Sequence, residues 1–157
     1  MQRFGVMICM RTMDVDEIFV DTNILIFATN SASAWHAPAA TVLQNLHQQG
    51  ITLAVSFQVL REYLAASTRF SGQDFALDTI LANLHTFQTQ FHLLEENELV
   101  FAHLMNLVSH ISVAGKQIHD ANIVATMQAY GISHLLTHNV NDFKRFAGLI
   151  TIVPLIK

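Results

Sequence analysis

The stretch IFVDTNILIF, Ile18–Phe27, decides how this chain is read: an apolar run suited to a strand passing into a buried helix is broken by Asp21, Thr22 and Asn23. A lone buried carboxylate costs several kcal/mol and is ordinarily paired, neutralised or holding a cation. Strand neighbours such as Phe19 and Val20 disfavour Asp on propensity as well. The position therefore asks for a chemical partner.

Outward from this stretch, short β-rich runs alternate with helical patterns, and no repeat or long linker intervenes. EIFV (17–20) is a first strand, followed by a short helix over Asn23–Ala28. SAS and Pro38 open a helix to Gln49 that stops at Gly50, and ITLAV (51–55) is a second strand. Ser56 is a natural N-cap for a helix from Phe57 to about Arg69, and Asp74 for one to about Phe87. QFHLL (90–94) gives a third strand, and Asn97 caps a helix through Ser109. Asp120 opens a helix ending at Tyr130 with Gly131 as its stop. SHLLT (133–137) is a fourth strand, Asp142–Phe146 a helical turn and LITIV (149–153) a fifth strand. Strands separated by helices pair in parallel with right-handed crossovers, so an α/β domain is expected with all carboxyl ends on one edge, where open α/β sheets bind ligands.

Composition agrees. A chain of 157 residues with 52% apolar and 13% charged residues folds as one domain rather than staying disordered. The domain is expected over residues 17–157, preceded by a leader, 1–16, read as disordered, with Met13 as an alternative initiator. FGVMICM (4–10) is too short for a secretory h-region and no run spans a bilayer, so a cytoplasmic protein with no membrane association is expected. A single cysteine rules out a disulfide framework and a thiolate metal site. The nine histidines show no metal-ligand spacing, and His134 and His138 flank a strand and diverge. The net charge of −4 excludes binding of nucleic acid by bulk electrostatics but leaves room for a local patch. Arg61, Arg69, Lys116, Lys144 and Arg145 each lie close in sequence to one of the acids discussed next.

Asp21 closes the first strand, and Asn139 follows the fourth by two residues. Glu62 falls in the second turn of its helix, sharing a face with Gln58, Ala65, Ala66 and Arg69, while Leu60, Tyr63 and Leu64 supply the core side. Asp120 begins a helix whose buried stripe is Ile123, Val124 and Met127. Taken singly, Asp120 and Asp142 read as helix caps and Glu62 as a solvated helix residue. Only Asp21 resists a bland account, and it is the combination that points to a shared site.

Four segments carry a resemblance: FVDTNIL (19–25), LREYL (60–64), GKQIHDANIVATM (115–127) and LLTHNVNDFKRF (135–146). In this order and at these separations they resemble the PIN-domain family, and most of all the VapC-type toxins of prokaryotic toxin–antitoxin systems, over nearly the whole chain from Glu17 onward. The resemblance implies a five-stranded parallel sheet flanked by helices in a three-layer α/β/α arrangement, and an endoribonuclease dependent on Mg²⁺ or Mn²⁺. It implies an acidic set of Asp21, Glu62 and Asp120, with a fourth position between Thr137 and Asp142. Many relatives have an acid two residues after the threonine, where this chain has Asn139; Asn139 and Asp142 both remain candidates for the catalytic and metal-binding set. Thr22, Asn23 and Thr137 would orient the acids. The five cations would guide the RNA backbone.

The chemistry accounts for such a cluster. Several carboxylates within a few ångströms repel one another, and a hard divalent cation with oxygen ligands cancels that repulsion. Attack by water is expected, since no histidine pair is placed for acid–base work, although His119 and His138 leave attack by the ribose 2′-OH open. Partners expected from the resemblance are RNA, a cognate antitoxin protein received near AATVLQNL (39–46) and LDTILANL (77–84), and a second copy in a homodimer. Two alternatives stand beside this reading: a catalytically degenerate PIN-like binding module, favoured by Asn139, and a haloacid-dehalogenase-type phosphohydrolase with Asp21 as nucleophile, which wants an Asp where Asn23 stands.

Overall fold

The computed structural model of the protein describes residues 15–155; the leader expected over 1–16 lies, but for its last two residues, outside them. The strands are β1 (Glu17–Val20), β2 (Thr52–Ser56), β3 (His92–Leu94), β4 (His134–Thr137) and β5 (Thr151–Pro154). They form one parallel sheet in the order β3-β2-β1-β4-β5, so the expected five-stranded α/β fold is the one observed. The helices are α1 (Thr22–Thr29), α2 (His36–Gln48), α3 (Phe57–Ser67), α4 (Leu77–Gln90), α5 (Glu98–His110), α6 (Gln117–Tyr130) and α7 (Val140–Phe143). From β1 the chain steps outward through β2 to β3, then returns to the other side of β1 for β4. The carboxyl ends of β1 and β4 thus flank the point where strand order reverses, the usual ligand crevice of such sheets.

β1 and β4 are hydrophobic on both faces because both are covered, and Ile18, Phe19, Val20, Leu135 and Leu136 are all fully buried. The register pairs Val20 with Leu136, and Asp21 N–H donates to Leu136 O (3.0 Å), which brings Asp21 beside Thr137. Tyr63 of α3 is buried, its hydroxyl bonding Thr29 Oγ1 (2.9 Å) and Asn83 Nδ2 (3.0 Å), so one side chain ties α1, α3 and α4.

Local signals set most boundaries. Ser56 Oγ accepts from Val59 N–H and Asn97 Oδ1 from Val100 N–H, as N-caps should. Gly131, at φ 71°, ends α6 in the left-handed conformation that glycine adopts without penalty. Two expected caps are corrected. Asp74 does not cap α4: it lies in a 3₁₀ turn, Gln73–Phe75, and its carboxylate accepts from the Ser31 N–H and hydroxyl, while α4 starts at Leu77. Asp120 does not open α6, which starts at Gln117; the preceding turn closes when Gln117 Oε1 accepts from Ala114 N–H (3.0 Å), leaving Asp120 within the first turn with its carboxylate unspent on capping. Likewise Asp142 lies within α7, whose N-cap position is Asn139. The helix expected from SAS begins slightly later, at His36. Among the described residues no helix is long and apolar enough to cross a membrane.

His134 of β4 is buried, its Nδ1 paired with Ser133 Oγ (2.8 Å) and its Nε2 without a partner among the described residues. Burial pushes its pKa below the usual 6.5, so the unfolded chain takes up the proton first. Folding stability falls as pH drops through about 6.5 and the loss is complete below the folded-state value. Urea unfolding at pH 7.5 and pH 5 should show this decline reduced in His134→Leu; an equal decline in both proteins would mean the imidazole titrates normally.

Candidate active site

Asp21 is the centre of a hydrogen-bonded cluster. Its Oδ1 accepts from Thr22 N–H (2.8 Å), and its Oδ2 accepts from Asn23 Nδ2 (2.6 Å) and from the Thr137 hydroxyl (2.7 Å). The side chain is only 6% exposed, and that burial pushes its pKa above the usual range, opposed by the three donors and supported by the charge of Glu62. Asn23 serves three partners, since its Nδ2 also donates to Thr137 Oγ1 (3.3 Å) and its Oδ1 accepts from His138 N–H (3.0 Å). Asn139 N–H in turn donates to Thr137 Oγ1 (3.0 Å).

Glu62 reaches the same place from α3. Thr22 Oγ1 donates to Glu62 Oε2 (2.9 Å), so the residue after Asp21 binds the second acid directly. Gln58, one turn earlier, donates from Nε2 to Glu62 Oε1 (2.7 Å) and to the carbonyl of His119 (3.0 Å), while its Oε1 accepts from Asn122 Nδ2 (2.6 Å). Gln58 is 5% exposed with donor and acceptor ends both engaged, and it fastens Glu62 to the first turn of α6. Sequence reasoning placed Gln58 on the face of Glu62 but gave it no task; the spacing of four was the available signal.

Asp120 projects from that turn. Its pKa is pushed up to about 6, first by burial, then by the charges of Asp142, Asp21 and Glu62, with Arg145 pulling the other way. The charges of Asp142, Asp21 and Glu62 all reach Asp120, while Asn139 and Asp142 are both exposed. Among the described residues, no three His, Cys, Asp or Glu side chains stand close enough to hold a metal ion as placed. The oxygens of Asp21 and Glu62 are instead held by the donors just named.

The expected cations divide. Arg145 lies near Asp120 and donates to Ser112 O (3.2 Å), whereas Arg61 extends away to Glu96 (3.1 Å) with its side chain 64% exposed. Arg69, Lys116 and Lys144 are exposed, and no contact ties them to the acids.

The PIN domain family model matches residues 18–149, and the chain belongs to that family. It is 24% identical over 133 residues to ribonuclease VapC48 of Mycobacterium tuberculosis, covering 82% of this chain and 91% of that protein. Among solved structures, VapBC2 from Rickettsia felis, bound to a DNA fragment from its promoter, superposes with a TM-score of 0.67 at 20% identity, covering 88% of this chain and 98% of the other. VapC20 of Mycobacterium tuberculosis, a toxin cleaving the sarcin–ricin loop, superposes with a TM-score of 0.64 at 18% identity over 85% of this chain and 96% of its own. Family membership replaces the phosphatase alternative, consistent with Asn23 acting as a donor to Asp21.

Two substitutions here should have opposite signs. Gln58→Leu strands partners on Glu62, His119 and Asn122 and should cost about 1–3 kcal/mol of stability. Asp120→Asn removes a repelled charge. Because its folded-state pKa is raised, the stability linked to its proton is present at low pH and is lost as pH rises from 3.8 to about 6. In EDTA above that window Asp120→Asn should therefore gain about 1–2 kcal/mol after solvent screening, a gain that vanishes below pH 4. Thermal melts across pH check both.

Proposed function

We propose that this protein is an endoribonuclease dependent on Mg²⁺ or Mn²⁺ and the toxin of a toxin–antitoxin pair. The observation that supports the proposal is the hydrogen-bonded chain at the carboxyl edge of the sheet, in which Thr22, next to Asp21, binds Glu62 and Gln58 ties Glu62 to the first turn of α6, the turn that carries Asp120. The donor set fits a hard cation: its groups are oxygen ligands, and their mutual repulsion is what a divalent charge relieves. Asp21, Glu62 and Asp120 would hold the ion, with Asp142 and Asn139 contributing at the fourth position. When bound, such an ion supplies an activated water and neutralises charge on the phosphate oxygens.

The chain's own residues do the positioning. Thr22, Asn23 and Thr137 fix both oxygens of Asp21, and Gln58 with the Thr22 hydroxyl fixes Glu62. These bonds aim carboxylate lone pairs that would otherwise rotate. Arg145, already beside Asp120, is the first cation an incoming phosphate meets; Lys144, Lys116, Arg69 and Arg61 extend the attraction outward, Arg61 sharing its charge with Glu96. Water is the proposed nucleophile, with attack by the ribose 2′-OH, assisted by His119 or His138, as the alternative.

Cleavage of single-stranded RNA should appear with Mg²⁺ or Mn²⁺ and disappear with EDTA. Asp21→Asn should lower kcat by at least about a hundredfold. Metal-dependent cleavage surviving that substitution would remove Asp21 from its role, and a folded chain that never cleaves RNA would return the binding-module reading.

The antitoxin partner is proposed at a cavity of about 610 Å³ between α2, β2 and α4, lined by Leu43, Ile51, Leu53, Asn83 and Phe87 among others. It includes parts of both helices expected to receive that partner, and the exposed Leu77 and Leu81 also lie on α4. The second copy of the proposed homodimer is assigned to α5, where Phe101, Met105 and Val108 are exposed at helical spacing. Leu43→Arg should leave cleavage intact yet weaken suppression by a cognate antitoxin by at least about tenfold, measured as the concentration needed for half inhibition.

A further inference from the structure

Next to the acids stands a group of rings that the ribonuclease reading does not use. The His138 ring lies between two others: Trp35, at a centroid distance of 4.6 Å and a tilt of 46°, and Phe27, at 5.2 Å and nearly edge-on. Phe27 and Trp35 are 6.5 Å apart. All three are partly exposed, unlike the core aromatics Phe19, Phe143 and Phe146. Trp35 is the chain's only tryptophan.

The rings are held rather than loose. Phe27 follows Asn23 by one helical turn, so both address His138, Phe27 through its ring and Asn23 through the bond to His138 N–H. Trp35 ends a braced loop: its N–H donates to Ser33 Oγ (3.1 Å), Ala32 N–H to Asn30 Oδ1 (3.1 Å) and Ser31 N–H to Asp74 Oδ2 (2.8 Å). His36 Nδ1 closes the loop onto the carbonyl of Phe27 (3.0 Å). This is the task Asp74 performs in place of capping α4.

The position is informative. Asn23 bonds Asp21 at one end of its amide and the His138 backbone at the other, so a single side chain separates the aromatic group from the central acid. Single-stranded RNA presents two chemistries at that separation, a phosphate and an unstacked base. Acids with a cation suit the phosphate, and flat apolar faces suit the base, since aromatic stacking accepts any base.

We infer that Trp35 and His138, backed by Phe27, form a nucleobase subsite that holds one unstacked base of single-stranded RNA beside the scissile phosphate. The inference rests on the ribonuclease reading above. Trp35 supplies the main face, His138 sets its angle, and the braced loop lowers the ordering cost of binding.

Because Trp35 is the only tryptophan, its emission reports the subsite without any label. Adding a single-stranded oligoribonucleotide to the Asp21→Asn protein should quench that emission, and an oligomer of equal length lacking bases should not. In steady-state cleavage, Trp35→Ala should raise KM roughly tenfold with kcat within about twofold, Trp35→Phe should restore most of the loss, and His138→Ala should fall between them. Should Trp35→Ala misfold, the emission of the tryptophan itself and the Trp35→Phe protein decide the matter. Unquenched emission together with an unchanged KM, in a protein that still cleaves, would overturn the subsite and leave the nuclease standing. A protein that neither cleaves nor binds the oligomer would bring down both.

Discussion

The hydrogen bond from the Thr137 hydroxyl to Asp21 is the contact on which the site depends. Asp21 is buried at the end of a central strand, where an unpartnered carboxylate would be too costly to keep. Thr137, from the neighbouring strand, makes burial tolerable, and β1–β4 register delivers it. The rest is built by extension: Thr22 carries the arrangement to Glu62, Gln58 carries it to α6, and Asn23 carries it to the backbone of His138. Four secondary-structure elements are thus aligned by short polar side chains.

Two opposing demands meet in this cluster. Donors hold both oxygens of Asp21, while burial and like charge drive Asp21 and Asp120 toward their neutral forms. The result is a pair of acids, Asp21 and Asp120, raised above the ordinary carboxylate range, the behaviour expected where a positive charge is the missing component. Packing elsewhere keeps the elements from separating to relieve the repulsion. The buried rings of Tyr63, Phe143 and Phe146 fix α3 and α7 against their neighbours.

The sheet, the helix order and the crevice were legible because their signals are local: alternation of apolar runs, Ser56 and Asn97 as caps, Gly131 as a stop. Asp120 and Asp74 misled for one shared reason. An aspartate before a helical pattern reads as a cap, yet Gln117 closes the turn ahead of α6 and Ser31 claims Asp74 from across the fold. Gln58 was visible only as a neighbour of Glu62, since its other partners, His119 and Asn122, lie more than sixty residues away. The ring cluster was hidden for the same cause: Trp35 and His138 belong to different segments, and only the folded sheet edge makes them adjacent.

The span of the Asp21–Thr137 contact has a further consequence. The two residues are 116 apart in sequence, so the bond forms only after the chain has closed a loop encompassing most of the domain. Contacts of such range are entropically late, and no native-like fragment lacking β4 can assemble the cleft. Any excursion that detaches β4 strips Asp21 of its strongest donor and scatters the acids together. Assembly of the acids is in this sense a readout of complete closure, and intermediates of folding or breakdown lack the cleft.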